Sequence, residues 1–195
     1  MVRTFFNEKA AIWDEEIAEK DSAKLERMAQ RLDIKPDFSV LDVGTGTGIF
    51  VPFLLNKIGT KGQLIAIDIA EEMLKLSKSK AFYGNVEHLH ADIVNLPLAE
   101  KTFDAIVCYS SFPHFHNKPQ ALTEMSRVLK SEGRLFICHT SSRSAINEIH
   151  CAIPAVENDI IPNAGEMLTL LTTAGFIGIK IEDNDENYLT RATKR

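Results

Sequence analysis

The chain has 195 residues, of which 45% are hydrophobic and 25% charged, a balance that suits one globular domain burying most of its unfolded surface. Its net charge of -5 excludes a dedicated polyanion binder, since nucleic-acid binding needs clustered Lys and Arg and the basic residues here are scattered. Cys108, Cys138 and Cys151 form no CxxC pair, no apolar run approaches the roughly 18 residues that span a bilayer, and residues 1–11 lack a signal-peptide pattern, so a soluble cytoplasmic protein is expected.

In chain order, residues 21–32 carry Ala23, Leu25, Met28, Ala29 and Leu32 at helical spacing, with Asp21 or Ser22 able to cap the start and Pro36 after the end. Residues 39–43 form a short strand stopped by Gly44, Gly46 and Gly48, and residues 49–55 a helix that tolerates Pro52 only in its first turn. A strand over 63–67, a helix over about 70–80, a strand over 86–90 and a loop over 92–101 follow. Residues 103–108 read as a buried strand, 118–129 as a helix closed by a turn at 130–133, and 134–139 as a fifth strand. A polar segment from Thr140 leads to a helix near 165–174, then strands over 176–181 and 188–193 flanking the acidic turn 182–186. That connection is too short for a helical crossover, which predicts an antiparallel C-terminal hairpin.

Runs such as Ala105-Ile106-Val107-Cys108, apolar throughout, imply strands buried on both faces and hence a parallel sheet covered by helices. The expected fold is a doubly wound, Rossmann-like α/β domain whose ligand site lies beyond the carboxyl ends of the strands. Gly44, Gly46 and Gly48 permit a tight turn and close backbone approach to a ligand there. Their G-x-G-x-G register, with Ile49 where a further glycine would fall, departs from the dinucleotide fingerprint G-x-G-x-x-G.

Val40-Leu41-Asp42-Val43-Gly44-Thr45-Gly46-Thr47-Gly48 resembles motif I of the class I S-adenosylmethionine-dependent methyltransferases. Residues 64–69 with Glu72-Met73-Leu74, and residues 90–93 with Leu96-Pro97-Leu98, resemble the second- and third-strand motifs; residues 103–107 and 127–133 resemble the ubiquinone and menaquinone C-methyltransferases, with Glu132 where that group commonly has glycine. The resemblance covers about residues 36–139 and implies a seven-strand sheet. It implies that Asp42 orients the methionine amino group, that Asp68 grips the ribose hydroxyls, and that Asp92 accepts from the adenine amino group. Ile69, Met73 and Ile93 would sandwich the adenine, and Gly44, Thr45, Gly46, Gly48 and Ser110 complete the expected cofactor-binding set.

Methyl transfer from a sulfonium is an in-line displacement in which positioning does most of the work, and a base is needed only if the acceptor arrives protonated. His114 and His139, near the ends of the fourth and fifth strands, are the candidate bases or acceptor-positioning groups. Phe6 and Trp13, within N-terminal segments that resemble methyltransferase lids, join Tyr109, His116 and Arg143 as candidate acceptor-binding residues. The histidine spacings match no structural zinc pattern, so no metal is expected. Residues 1–35 read as a helical lid and lead-in helix, and 36–195 as the cofactor-binding core of one domain. The expected function is methylation of a small molecule by a monomer or homodimer. A nicotinamide-dependent oxidoreductase and a noncatalytic S-adenosylmethionine-binding protein remain alternatives.

Overall fold

The computed structural model describes residues 2–17, 19 and 21–195; Met1, Ala18 and Lys20, which fall within the expected lid, lie outside the described residues. Helix α1 (Val2–Ile12) runs into a π turn (Trp13–Ile17) and is followed by α2 (Ser22–Arg31). Asp21 caps α2 by accepting from the amides of Ala23 and Lys24 at 2.9 and 3.2 Å. Then come β1 (Ser39–Val43), α3 (Val51–Ile58), β2 (Gln63–Asp68), α4 (Glu71–Ser79), β3 (Val86–His90) and β4 (Phe103–Tyr109). The chain ends with α5 (Lys118–Val128), β5 (Leu129–His139), α6 (Arg143–Cys151), α7 (Ala164–Thr173), β6 (Phe176–Asn184) and β7 (Asn187–Lys194).

The seven strands lie in the order β3-β2-β1-β4-β5-β7-β6. β1 pairs in parallel with β2 and β4, whereas β7 is antiparallel to both β5 and β6. The winding reverses between β1 and β4, which opens a crevice at their carboxyl ends. Strict alternation divides the core into two layers. Leu41, Val43, Ile106, Cys108, Leu135 and Ile137 face α5 and α7, and Val40, Ala105, Val107, Phe136 and Cys138 face α2 and α3.

The structure departs from the sequence reading in three places. The polar segment after Thr140 contains α6, capped by Ser142 Oγ accepting from the Ala145 amide, yet none of its residues is fully buried. Its bulky apolar side chains are Ile146 and Ile149 alone, a narrow stripe for a helix against a core. The acidic connection contracts to Asp185-Glu186, because β6 continues through Glu182, whose carboxylate pairs with Arg31 and Arg191. β5 begins at Leu129, and Glu132, where the resembling group carries glycine, holds φ +62°.

Candidate active site

The three glycines after β1 have positive φ, but each answers a different neighbour. A Cβ on Gly44 would lie 2.4 Å from Ser111 Cβ, and Ser111 Oγ donates to the Val43 carbonyl at 2.6 Å, so the first glycine lets the end of β4 close on the end of β1. A Cβ on Gly46 would meet no atom of the described residues within 4 Å. A Cβ on Gly48 would lie 2.4 Å from Ser77 Oγ and 2.7 Å from the Phe82 ring, so the third glycine is shaped by α4 and the segment after it.

The carboxylate at the end of β2 organises this turn. Asp68 accepts from the Gly46 amide and the Ala70 amide, each at 2.8 Å, and burial pushes its pKa up despite those two donors. Asp92, past the end of β3, accepts from the Val94 amide at 3.1 Å. A cavity of about 320 Å³ opens above the strand ends, and its floor brings together Gly44, Thr45, Gly46, Asp68, Ile69, Met73, Asp92, Ile93 and Ser110.

The N-terminal segment closes one side. Phe6 packs edge-on against Trp13 at 5.3 Å and His114 at 4.9 Å, and all three line the cavity. α1 is fastened to α4 by polar contacts: Asn7 donates to Glu71 at 2.9 Å and accepts from the Glu72 amide at 3.0 Å. Asp14 pairs with Lys80 at 2.6 Å and accepts from the Thr47 hydroxyl in the glycine turn. Tyr109 stacks on Phe50 with ring centroids 4.5 Å apart and meets Thr140 Oγ1 at 3.1 Å; burial raises its pKa to about 12, so it stays a neutral phenol.

His114 Nδ1 contacts Asp159 Oδ2 at 2.9 Å, and His150 Nδ1 contacts the Asp159 backbone carbonyl. Both acceptors lack a proton to give when ionised or carbonyl, so each ring donates through Nδ1. Sequence reasoning missed Asp159, since nothing in residues 156–160 advertises a contact 45 positions away. It also missed Glu19, Ile146 and Ile149, all of which line the cavity.

Four expected site residues do not line it. Asp42 lies beneath the turn, 1% exposed, with Oδ2 unpartnered among the described residues; burial, reinforced by the Asp68 charge, raises its pKa to about 7. Gly48 serves packing, as shown above. His139 is buried with both ring nitrogens unpartnered among the described residues, and burial, then repulsion from His114 and His150, lowers its pKa to about 3. Arg143 turns toward β6, where its amide donates to Asp183 at 2.9 Å and its guanidinium lies 3.6 Å from the same carboxylate.

A model of the methyltransferase domain family matches residues 41–137. The chain is 31% identical over 140 residues to the ubiquinone/menaquinone biosynthesis C-methyltransferase UbiE of Teredinibacter turnerae, covering 70% of this chain and 56% of that protein. It is 34% identical over 134 residues to the UbiE of Klebsiella pneumoniae, covering 67% and 53%. The chain thus spans about half the length of these curated relatives. The crystal structure of an S-adenosylmethionine-dependent methyltransferase from Aquifex aeolicus superimposes with a TM-score of 0.79 at 25% identity, covering 97% of this chain and 98% of that one.

Proposed function

The chain belongs to the methyltransferase-domain family of the class I methyltransferases, and from that premise we propose that it transfers a methyl group from S-adenosylmethionine to a small-molecule acceptor. The observation that carries the reading is the convergence of Gly46, Asp68 and Asp92 on one cavity at the point where the sheet reverses its winding. The site fits the cofactor: the open space beyond Gly46 admits a ligand against bare backbone, and Asp68 retains lone pairs beyond the two amides it already accepts from.

Asp68 would accept from the ribose hydroxyls and Asp92 from the adenine amino group, with Ile69, Met73 and Ile93 against the adenine faces. The turn at Gly44, Thr45 and Gly46, with Ser110 beside it, would cradle the rest, and Asp42 would act from beneath. The bound cofactor supplies an electrophilic methyl on a good leaving group, so the protein needs no nucleophile of its own. The residues of this chain position and enclose: Phe6 and Trp13 form a lid segment that keeps water out, while Tyr109 and His116 border the acceptor space. No helix among the described residues is long and apolar enough to cross a membrane, and we place the protein in the cytoplasm.

Calorimetry with S-adenosylhomocysteine tests the binding half of this reading, and S-adenosylhomocysteine accumulation during an acceptor screen tests turnover. Binding of the nicotinamide cofactor alone overturns it. Binding without turnover of any acceptor reduces it to a noncatalytic binder.

A further inference from the structure

His114 sits in the cavity wall with Nδ1 committed to Asp159, and its Nε2 makes no hydrogen bond among the described residues. The Nδ1–H form is therefore the one the structure selects, which leaves the Nε2 lone pair available. Asp159 is itself fixed, because its backbone carbonyl accepts from His150 and its amide donates to the Val156 carbonyl at 2.9 Å. An imidazole oriented by a carboxylate on one nitrogen and unpartnered on the other is an arrangement suited to taking a proton.

The surroundings narrow what could give that proton. The edge-on ring of Phe6, with Phe115, Ile146 and Ile149, makes the neighbouring wall apolar, which favours a flat hydrocarbon body. No lysine or arginine lines the cavity among the described residues, so no basic side chain there selects an anionic acceptor. A thiol, at about 8.5, already supplies some of its nucleophilic anion near neutrality, whereas an aromatic hydroxyl, at about 10, lies a few units above an imidazole and gains more from a base. Resting on the methyltransferase reading above, we propose that His114 accepts the proton of a hydroxyarene acceptor and that Asp159 is its positioning residue.

The acceptor O–H bond breaks with its electron pair left on oxygen, and the proton bonds to His114 Nε2. The freed pair, on oxygen or delocalised to an adjacent ring carbon, forms the bond to the methyl carbon while the pair of the breaking S–C bond stays on sulfur. If carbon is methylated, its hydrogen leaves as a proton as the hydroxyl regains one, so one proton is released either way. The charged and titratable groups facing His114 are Asp159, His150 on α6, His139 at the end of β5, and Lys118 on α5, which feels the Asp159 charge.

The test uses the full chain, its S-adenosylhomocysteine complex, and 4-nitrophenol, whose phenolate is coloured. Wild type should bind the probe with roughly tenfold more phenolate than free solution shows at the same pH. His114→Gln should abolish that gain, Asp159→Asn should diminish it and Asp159→Glu should restore it, with S-adenosylhomocysteine affinity within about twofold throughout. Nitrogen-15 spectra of the imidazoles, which need no ligand, should show His114 as the Nδ1–H tautomer in wild type and a mixture in Asp159→Asn. An unbound probe, a phenolate gain that survives His114→Gln, or a tautomer indifferent to Asp159→Asn overturns the proposal. Failure of S-adenosylhomocysteine to bind wild type would instead overturn the methyltransferase reading, and the tautomer result would still decide the His114–Asp159 pairing.

Discussion

The guanidinium of Arg3 grips the carboxylate of Glu71 with two hydrogen bonds, Nε to Oε2 at 2.9 Å and Nη2 to Oε1 at 2.5 Å. Arg3, and then Asn7, hold the Glu71 carboxyl far below the usual carboxylate range. The pair is solvent-accessible, so its worth lies in where it holds α1 more than in stability. Arg3→Ala combined with Asn7→Ala is expected to speed S-adenosylhomocysteine dissociation roughly three- to tenfold, with little change in melting temperature. Stopped-flow dissociation checks this; an unchanged rate would show that α1 does not gate the cavity.

Gly46 and Gly48 separate ligand space from packing space. Gly46→Ala meets only the strain of φ +57°, about 1–2 kcal/mol, but projects a methyl toward the cavity and should weaken S-adenosylhomocysteine binding at least tenfold. Gly48→Ala collides with Ser77 and Phe82 and should cost about 2–4 kcal/mol of stability, while the folded fraction binds nearly as wild type does. Denaturant melts and calorimetry on both variants read the two effects separately.

Asp68→Asn leaves a single carbonyl oxygen where a carboxylate now accepts from both Gly46 and Ala70. We expect S-adenosylhomocysteine affinity to fall roughly 10- to 100-fold. Calorimetry giving wild-type affinity would remove Asp68 from the site.

Asp42 and His139 tilt stability against pH in opposite directions. Burial raises the folded Asp42 pKa from 3.8 to about 7, so the native state holds this proton more tightly than the unfolded chain; its contribution is greatest below about pH 4 and is lost as pH rises to 7. Burial lowers the folded His139 pKa from 6.5 to about 3, so the unfolded chain protonates first and stability is lost as pH falls through that interval. Asp42→Asn should therefore gain melting temperature over wild type at pH 8 more than at pH 4, and His139→Phe should gain more at pH 4 than at pH 8. Offsets that stay constant with pH would contradict both.

Glu132, within β5, holds a left-handed backbone conformation that glycine adopts without strain. Glu132→Gly is expected to stabilise the fold by about 1 kcal/mol, read from the urea midpoint.

The central strands were legible because their apolar runs are continuous, and the glycine register with Asp68 and Asp92 pointed to the strand ends that line the cavity. α6 was not legible, since Ile146 and Ile149 are its only bulky apolar side chains and both border the cavity. Position near a strand end also failed to say which way a side chain points. His139 follows the alternation of Leu135 and Ile137 into the interior, whereas Thr140, one residue on, lines the cavity. The partnership of His114 with Asp159 depends on the path of the segment after α6, and local pattern carries no trace of that path.

The place of β7 between β5 and β6 also bears on how the protein is made. Synthesis delivers β6 before β7, with which it pairs, and β5 presents an open apolar edge until residues 187–194 have left the ribosome. The nucleotide-like half of the sheet, β1 to β4, can assemble while the chain is still growing, but the other half must wait for its last strand to insert. A nascent or truncated chain lacking β7 is thus the form most exposed to edge-to-edge aggregation.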